Sequence, residues 1–347
     1  MKNLSVGAIV LVFFLICQLP YSYCQSQLEG KEQLKSKISS IANANGFNGV
    51  IQIRLGSLEI YKKAFGYSDF ENRVSLKEND QFVIGSVSKQ VTAVLVMREY
   101  EKGNIDLDDK INKYLPELKQ GWASKVTVHH LLTHTHGIKA LGKELEFEPG
   151  SKFQYSQLGY SLLARITEKV SGDSFLELST TLFSELGMRS TVHPDNKPYK
   201  GLVKGYEISN NGKFDLAKNS LANYAAAGSF ISNTEDLCIW NTALHTGNIV
   251  SDKTLKLMAT RYATRDHPIF DKVEYGYGLL FKEGESMMEI GALGYAPGFV
   301  SACYYYPKKG MSLVVLGNRV RSLDDFKKTF KVHTELMELL KSESIIE

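Results

Sequence analysis

Hydrophobic and polar positions change period several times along this chain. Val6 to Leu19 is an almost unbroken apolar run behind Lys2. At roughly 14 residues it is too short to cross a bilayer comfortably and has the shape of a secretory leader. Residues 28–44 are helical in pattern, with Leu34, Ile38, Ile41 and Ala42 on one face and Gly46 as the stop. Gly49–Arg54 and Leu58–Tyr61 alternate with period two around Gly56-Ser57, which predicts a hairpin. Phe82-Val83-Ile84 reads as a strand or buried approach. Val91–Met97 is apolar almost all round and predicts a central, buried helix stopped by Gly103.

From Asp106 to about Leu221 the pattern changes. Leu107, Ile111, Tyr114 and Leu115, then Val128, Leu131 and Leu132, then 158–170 and 175–186 look helical between loops, and strand signals are scarce. Strands return at Tyr277–Phe281, Phe299–Tyr306 and Met311–Leu316, the last two joined by the turn Pro307-Lys308-Lys309-Gly310. A closing helix is expected to be capped at Ser322, with Asp325 three residues on and Phe326, Phe330, His333, Leu336 and Leu340 facing inward. The predicted fold is α+β: an antiparallel sheet flanked by helices, with an all-α inserted domain. The expected division is a signal peptide at 1–24, a sheet domain from 25–105 and 222–347, and a helical domain at 106–221. A pocket is expected in the cleft between the two domains.

Composition narrows the function classes. The net charge of +3 and the lack of a basic run exclude a nucleic-acid surface. No stretch after the leader is long enough to span a membrane. Ser22 and Cys24 stand at −3/−1 spacing, so cleavage before Gln25 and export, to a periplasm or the exterior, are expected. A lipid anchor at Cys24 is the less favoured alternative, because the bulky Tyr23 precedes it. Cys238 and Cys303 remain in the mature chain and are expected as buried free thiols rather than a disulfide.

Candidate chemistry centres on Gly85-Ser86-Val87-Ser88-Lys89 at the mouth of the apolar helix. On a helix, Ser86 and Lys89 share one face, one turn apart. A serine hydroxyl is a poor nucleophile until something takes its proton. A neighbouring amine can do so if burial or charge keeps it neutral. The alternative is a lysine paired with a carboxylate that merely holds the fold, since burying an unpaired ammonium is costly. Ser88 is offset and reads as a helix-start hydrogen bonder. Glu144, Glu146 and Glu148 alternate with Leu145 and Phe147 as a solvated edge, and no carboxylate pair of the glycosidase kind is placed. Tyr275, Tyr277 and Tyr304-Tyr305-Tyr306 read as sheet packing. His129, His130, His134 and His136 have partly metal-like spacing, His130 and His134 standing at i, i+4, which leaves a zinc site open at this point. His136 is expected to line a nearby surface.

These segments together carry a resemblance. Ser86–Lys89, Gly103–Asp109, Tyr114-Leu115-Pro116, Leu131–Gly137, Pro149-Gly150, Phe153–Ser156, Ala227-Gly228-Ser229, Pro297-Gly298-Phe299 and Val315–Asn318 follow one another in matching order and spacing. From about Gly49 to Asn318 the chain resembles the serine β-lactamase and penicillin-binding-protein-like hydrolases, nearest the class C type with its esterase and peptidase relatives. The resemblance implies that Ser86 is acylated, that Lys89 is its hydrogen-bonded amine and that Tyr155 is the tyrosine of the Y-x-N motif sharing proton transfer. It implies an oxyanion hole from the backbone N–H groups of Ser86 and Tyr295, a structural role for the histidine loop rather than zinc, and Tyr224 on a loop bordering the cleft. No metal and no cofactor is implied.

Two positions depart from the family pattern. Gln157 stands where the motif has Asn, adding a methylene. Ala292-Leu293-Gly294 replaces a third motif that normally begins with Lys or His. Loss of that side chain argues against a substrate carboxylate and for an uncharged acyl group. The favoured reading is a hydrolase of altered specificity acting on a small-molecule or peptide ester or amide, because Ser86, Lys89 and Tyr155 are all present. A binding protein that has kept the fold and lost catalysis is the alternative, and a true β-lactamase or D,D-carboxypeptidase is a third.

Overall fold

The protein is described by a computed structural model covering residues 30–209, 212–219, 221–222, 224–282 and 290–342. The expected leader, Cys17 and Cys24 lie outside these residues. The amphipathic α1 (residues 30–44) ends at Gly46, whose φ of 52° lies in the left-handed region. The Gly56 turn folds β1 (Gly49–Leu55) onto β2 (Leu58–Phe65). A small hairpin, β3 (Tyr67–Asp69) and β4 (Val74–Ser75), leads to β5 (Phe82–Val83) and α2 (Ser88–Glu101). Then come α3 (Val128–Leu132), α4 (Gln157–Ser171) and α5 (Phe175–Glu185). Ser156 caps α4 through the Gly159 amide at 3.1 Å, and Ser174 and Glu177 form a capping box on α5.

A short hairpin, β6 (Tyr206–Ile208) and β7 (Phe214–Leu216), also lies between residues 106 and 221. Its strands are three residues each, too short for alternation to register in the sequence. Next are β8 (Ile231–Ser232), α6 (Thr234–His245), α7 (Asp252–Met258), β9 (Ala263–His267), β10 (Asp271–Tyr275) and β11 (Leu280–Lys282). The chain continues through β12 (Ile290–Ala296), β13 (Phe299–Tyr306), β14 (Met311–Gly317) and β15 (Arg319–Val320). It ends on α8 (Phe326–Thr329) and α9 (Lys331–Ser342).

Strands from both ends of the chain build one antiparallel sheet in the order β2-β1-β14-β13-β12-β11-β10-β9. Successive residues in a strand face opposite sides, and here both sides are covered. Ile51, Ile53, Leu313 and Val315 pack under α1 and α9, whose Leu34, Ile38, Leu336 and Leu340 are fully buried. Val50, Val314 and Leu316 face the other way, into the core shared with α2 and α6. Polar bonds fix α6 on that face. The Gln52 amide donates to Glu235 at 2.8 Å, and Asn241 donates to the Tyr304 carbonyl at 3.0 Å.

Three expectations are corrected. The closing helix is broken in two, and Asp325 rather than Ser322 caps it, its carboxylate accepting from the Lys328 amide at 3.0 Å. Ser322 acts one step earlier, accepting from the Asp325 amide. Tyr277 is not a strand residue. It sits in the turn between β10 and β11, where its hydroxyl meets His129 Nδ1 at 2.8 Å. His136 does not line a surface. It is 1% exposed, and its Nδ1 accepts from the Ile138 amide. Strands β9 and β10 went unread, because ATRDH and DKVEY carry little apolar alternation. Cys238 and Cys303 are buried free thiols.

Candidate active site

The site begins with a turn that only glycine fits. Gly85 has φ +54°, and a Cβ there would lie 2.6 Å from the Tyr295 amide nitrogen. Its absence lets the start of the helical run press directly against β12. On the other side of the contact, a Cβ on Gly294 would fall 2.1 Å from the Ile84 carbonyl oxygen. The Ser301 hydroxyl of β13 donates to that same oxygen at 2.7 Å. Ile84 also donates its amide to Phe230 O at 3.0 Å, so the approach to the turn is held from two sides. A 3₁₀ turn, Gly85–Val87, then feeds α2. Its first hydrogen bond runs from Val87 N–H to Ile84 O at 3.3 Å, which leaves the Ser86 amide ahead of the helix's own bonding.

Lys89 lies one turn on and is 1% exposed. Its ammonium donates to Gln157 Oε1 and to the Ala227 carbonyl, both at 2.6 Å, and reaches Ser86 Oγ at 3.4 Å. No carboxylate partners it among the described residues. Burial pulls its pKa below the ordinary lysine value, the Arg265 charge pulls the same way, and Tyr155 opposes both. The carboxylate-paired reading of Lys89 is therefore set aside. The longer Gln157 still delivers its oxygen to the amine from the first residue of α4. Ser88 does not cap the helix. Its hydroxyl accepts from the Phe230 amide at 3.2 Å.

Tyr155 comes from the loop before α4, and His134 orders it. The His134 backbone takes φ +59°. Its carbonyl accepts from Gln154 N at 2.8 Å and its Nδ1 accepts from Ser156 N at 3.2 Å, bracketing Tyr155. The two rings lie 4.5 Å apart, and the Lys89 Nζ sits 4.6 Å from the Tyr155 ring centre. Burial holds the imidazole well below its usual pKa, so it packs as a neutral ring. The other histidines of the loop have local duties as well: His130 Nδ1 accepts from the Thr127 amide in the cap of α3.

Ser86, Tyr155, Gln157, Gly294 and Tyr295 line one cavity of about 270 Å³, together with Arg265, His267, Phe326 and Phe330. A smaller cavity shares Ser86 and Tyr155 and is walled by Ala292, Tyr275 and Gly278. A third, of about 290 Å³, carries Tyr224, Gln157 and Tyr295. The Tyr295 hydroxyl donates to Glu207 at 2.9 Å, and the Tyr295 backbone amide lies beside Gly85. All eight positions read from the sequence thus border Ser86 or the adjoining cavities. Reading the sequence missed Arg265 and His267, which β9 brings to the same cavity. Their signal was a polar stretch that looked like a surface loop. Burial lowers the pKa of His267 to about 4, so it is neutral at pH 7.

The profile of the family described as Beta-lactamase matches residues 44–337. The teichoic acid D-alanine hydrolase of Staphylococcus aureus is 26% identical over 283 residues, which is 76% of this chain and 70% of that protein. Penicillin-binding protein 4* of Bacillus subtilis is 25% identical over 331 residues, covering 83% and 72%. Among solved structures, the octameric penicillin-binding protein homologue from Pyrococcus abyssi superposes with a TM-score of 0.73 at 26% identity. That match spans 88% of this chain and 77% of that one.

Proposed function

The chain belongs to the Beta-lactamase family and is a hydrolase of that fold, and from this premise we propose that Ser86 is its acylated nucleophile. Lys89 and Tyr155 handle the proton. In the first half-reaction Ser86 Oγ attacks an ester or amide carbonyl, and its proton passes to the Lys89–Tyr155 pair. The pair then protonates the leaving group, which departs with the electrons of the broken bond. In the second half-reaction water loses a proton to the same pair and attacks the acyl carbon, the acyl–Oγ bond breaks to release the acid, and the pair returns the proton to Ser86 Oγ. The backbone N–H groups of Ser86 and Tyr295 receive the developing oxyanion, a contribution of ~3–4 kcal/mol for each donor. Tyr224, Gln157, Gly294 and Ala292 shape the substrate space.

One observation carries this reading: a lysine 1% exposed, without a carboxylate partner among the described residues and with its pKa depressed, 3.4 Å from the serine hydroxyl. A distance on the long side is usual before substrate tightens a site. The test is labelling with a neutral fluorophosphonate, followed by mass spectrometry of the modified peptide. Labelling at Ser86 that disappears in Ser86→Ala supports the reading. A folded protein that stays unlabelled leaves only a binding role. The reading extends to export: residues 1–24 serve as a cleaved leader, so the exported chain starts at Gln25. An intact leader on protein recovered from the cell interior would refute that part.

A further inference from the structure

The cation that the third motif lacks at Ala292 has a counterpart in the same cavity. Arg265, on β9, projects its guanidinium 5.1 Å from the ring centre of Tyr155 and 5.5 Å from that of Phe153. It lines both cavities that contain Ser86. Its Nε is buried and makes no hydrogen bond among the described residues. The groups that act on its charge are phenols, Tyr155 and Tyr275, and not carboxylates. No Asp or Glu lines either cavity among the described residues. The other polar neighbours are Gln157, Lys89 and neutral His267, and none of them balances a positive charge.

A guanidinium stays protonated through burial of this degree and presents donors in a planar fork suited to carboxylate. Left without a partner in a low-dielectric pocket, such a charge is unfavourable. Stacking on Phe153 and Tyr155 offsets only part of that cost. The usual remedy is a carboxylate from the protein, and here the described walls offer none.

We propose that Arg265 is the anion-recognising residue of this site and that the substrate carries a carboxylate within its reach. The proposal rests on the serine-hydrolase reading above. It reverses the expectation of an uncharged acyl group: the cation lost from β12 is supplied from β9, on a different strand of the same sheet. It also disfavours acyl groups bearing a free ammonium, which would meet Arg265 with like charge.

Matched esters test this. Phenyl butyrate is neutral, phenyl hemisuccinate carries its carboxylate on the acyl side, and 3-carboxyphenyl butyrate carries it on the leaving group. The wild-type protein is expected to prefer at least one anionic ester in kcat/KM. Arg265→Gln should lower kcat/KM for that ester by ~10- to 100-fold more than for phenyl butyrate, the loss of a charged hydrogen bond, and the fall on phenyl butyrate reads what losing the guanidinium does to Lys89 and Tyr155. Arg265→Lys should restore part of the preference. Equal losses on all three esters would assign Arg265 a purely structural role with Tyr155 and overturn the proposal, as would a wild type with no anionic preference. Succinate against succinamide as stabilisers in thermal unfolding gives a readout that needs no turnover. If Ser86 is not labelled and no ester is cleaved, the serine reading fails. Stabilisation by succinate in the wild type, absent in Arg265→Gln, would then still support the anion site, and its absence would overturn it.

Discussion

At the scale of single residues, the proposed chemistry depends on keeping one amine dry. Lys89 is held by two acceptors, Gln157 Oε1 and the Ala227 carbonyl, neither of which carries a charge. A neutral acceptor orients the amine without stabilising its proton as a carboxylate would, so desolvation dominates. The activity is therefore expected to rise with pH through a midpoint below the ordinary lysine value of about 10.4. Lys89→Met should lower kcat/KM by ~10²–10⁴-fold. Gln157→Ala should cost about tenfold, the loss of one hydrogen bond to a polar partner. Because Gln157 is exposed, its removal should leave the unfolding temperature nearly unchanged. Steady-state pH profiles of the three proteins check this. A wild-type acid limb at an unshifted lysine value would refute the desolvated amine.

At the scale of elements, the site is a contact between a helix start and a strand. Ser86 is aimed by the pressing of Gly85 against β12 and by the Ser301–Ile84 bond. Gly85→Ala would combine a left-handed φ with a Cβ 2.6 Å from Tyr295 N, so it is expected to destabilise the fold by more than ~2 kcal/mol. Fluorophosphonate labelling should fall further than the lost stability explains. Chemical denaturation together with labelling rates separates the two effects, and a Gly85→Ala protein that labels at the wild-type rate would contradict this view of the turn. Much of this contact was legible in the sequence, because glycines, small residues and apolar runs mark both partners. The parts that were not legible are those set by pairing rather than pattern. Strands β9 and β10 sit at the sheet's edge, half exposed, and read as loop. Arg265 looked like one charge in a polar run until the sheet carried it to Ser86. His136 looked polar and superficial, yet Gly159 of α4 leaves it room: a Cβ there would lie 2.6 Å from His136 Nε2.

At the scale of the whole molecule, the same burial that dries Lys89 also encloses several histidines, and this sets a pH limit on the fold. Burial lowers His136 and His267 to about 4 and His245 and His333 to about 3. Unfolded, each titrates near 6.5. Between these values the unfolded chain binds protons that the folded protein refuses. The stability they allow is thus fully present above about pH 6.5 and is lost as pH falls toward the folded values. At pH 5, about 1.5 units below the unfolded value, each costs up to ~2 kcal/mol. His333 isolates the effect. It faces inward from α9, its ring lies 5.1 Å from Phe330 and 6.1 Å from Phe47, and neither ring nitrogen finds a partner among the described residues. His333→Leu should stabilise by ~1 kcal/mol at pH 7, by removing unpaired polar atoms from the core. At pH 5 the gain should be larger by about 2 kcal/mol. Urea unfolding at the two pH values measures both numbers. A gain that does not grow on acidification would mean His333 is already protonated or hydrated in the fold, and the acid limit would then have to come from the other buried histidines. Acid sensitivity and the depressed pKa of Lys89 follow from one cause, the burial of these groups in a dry interior.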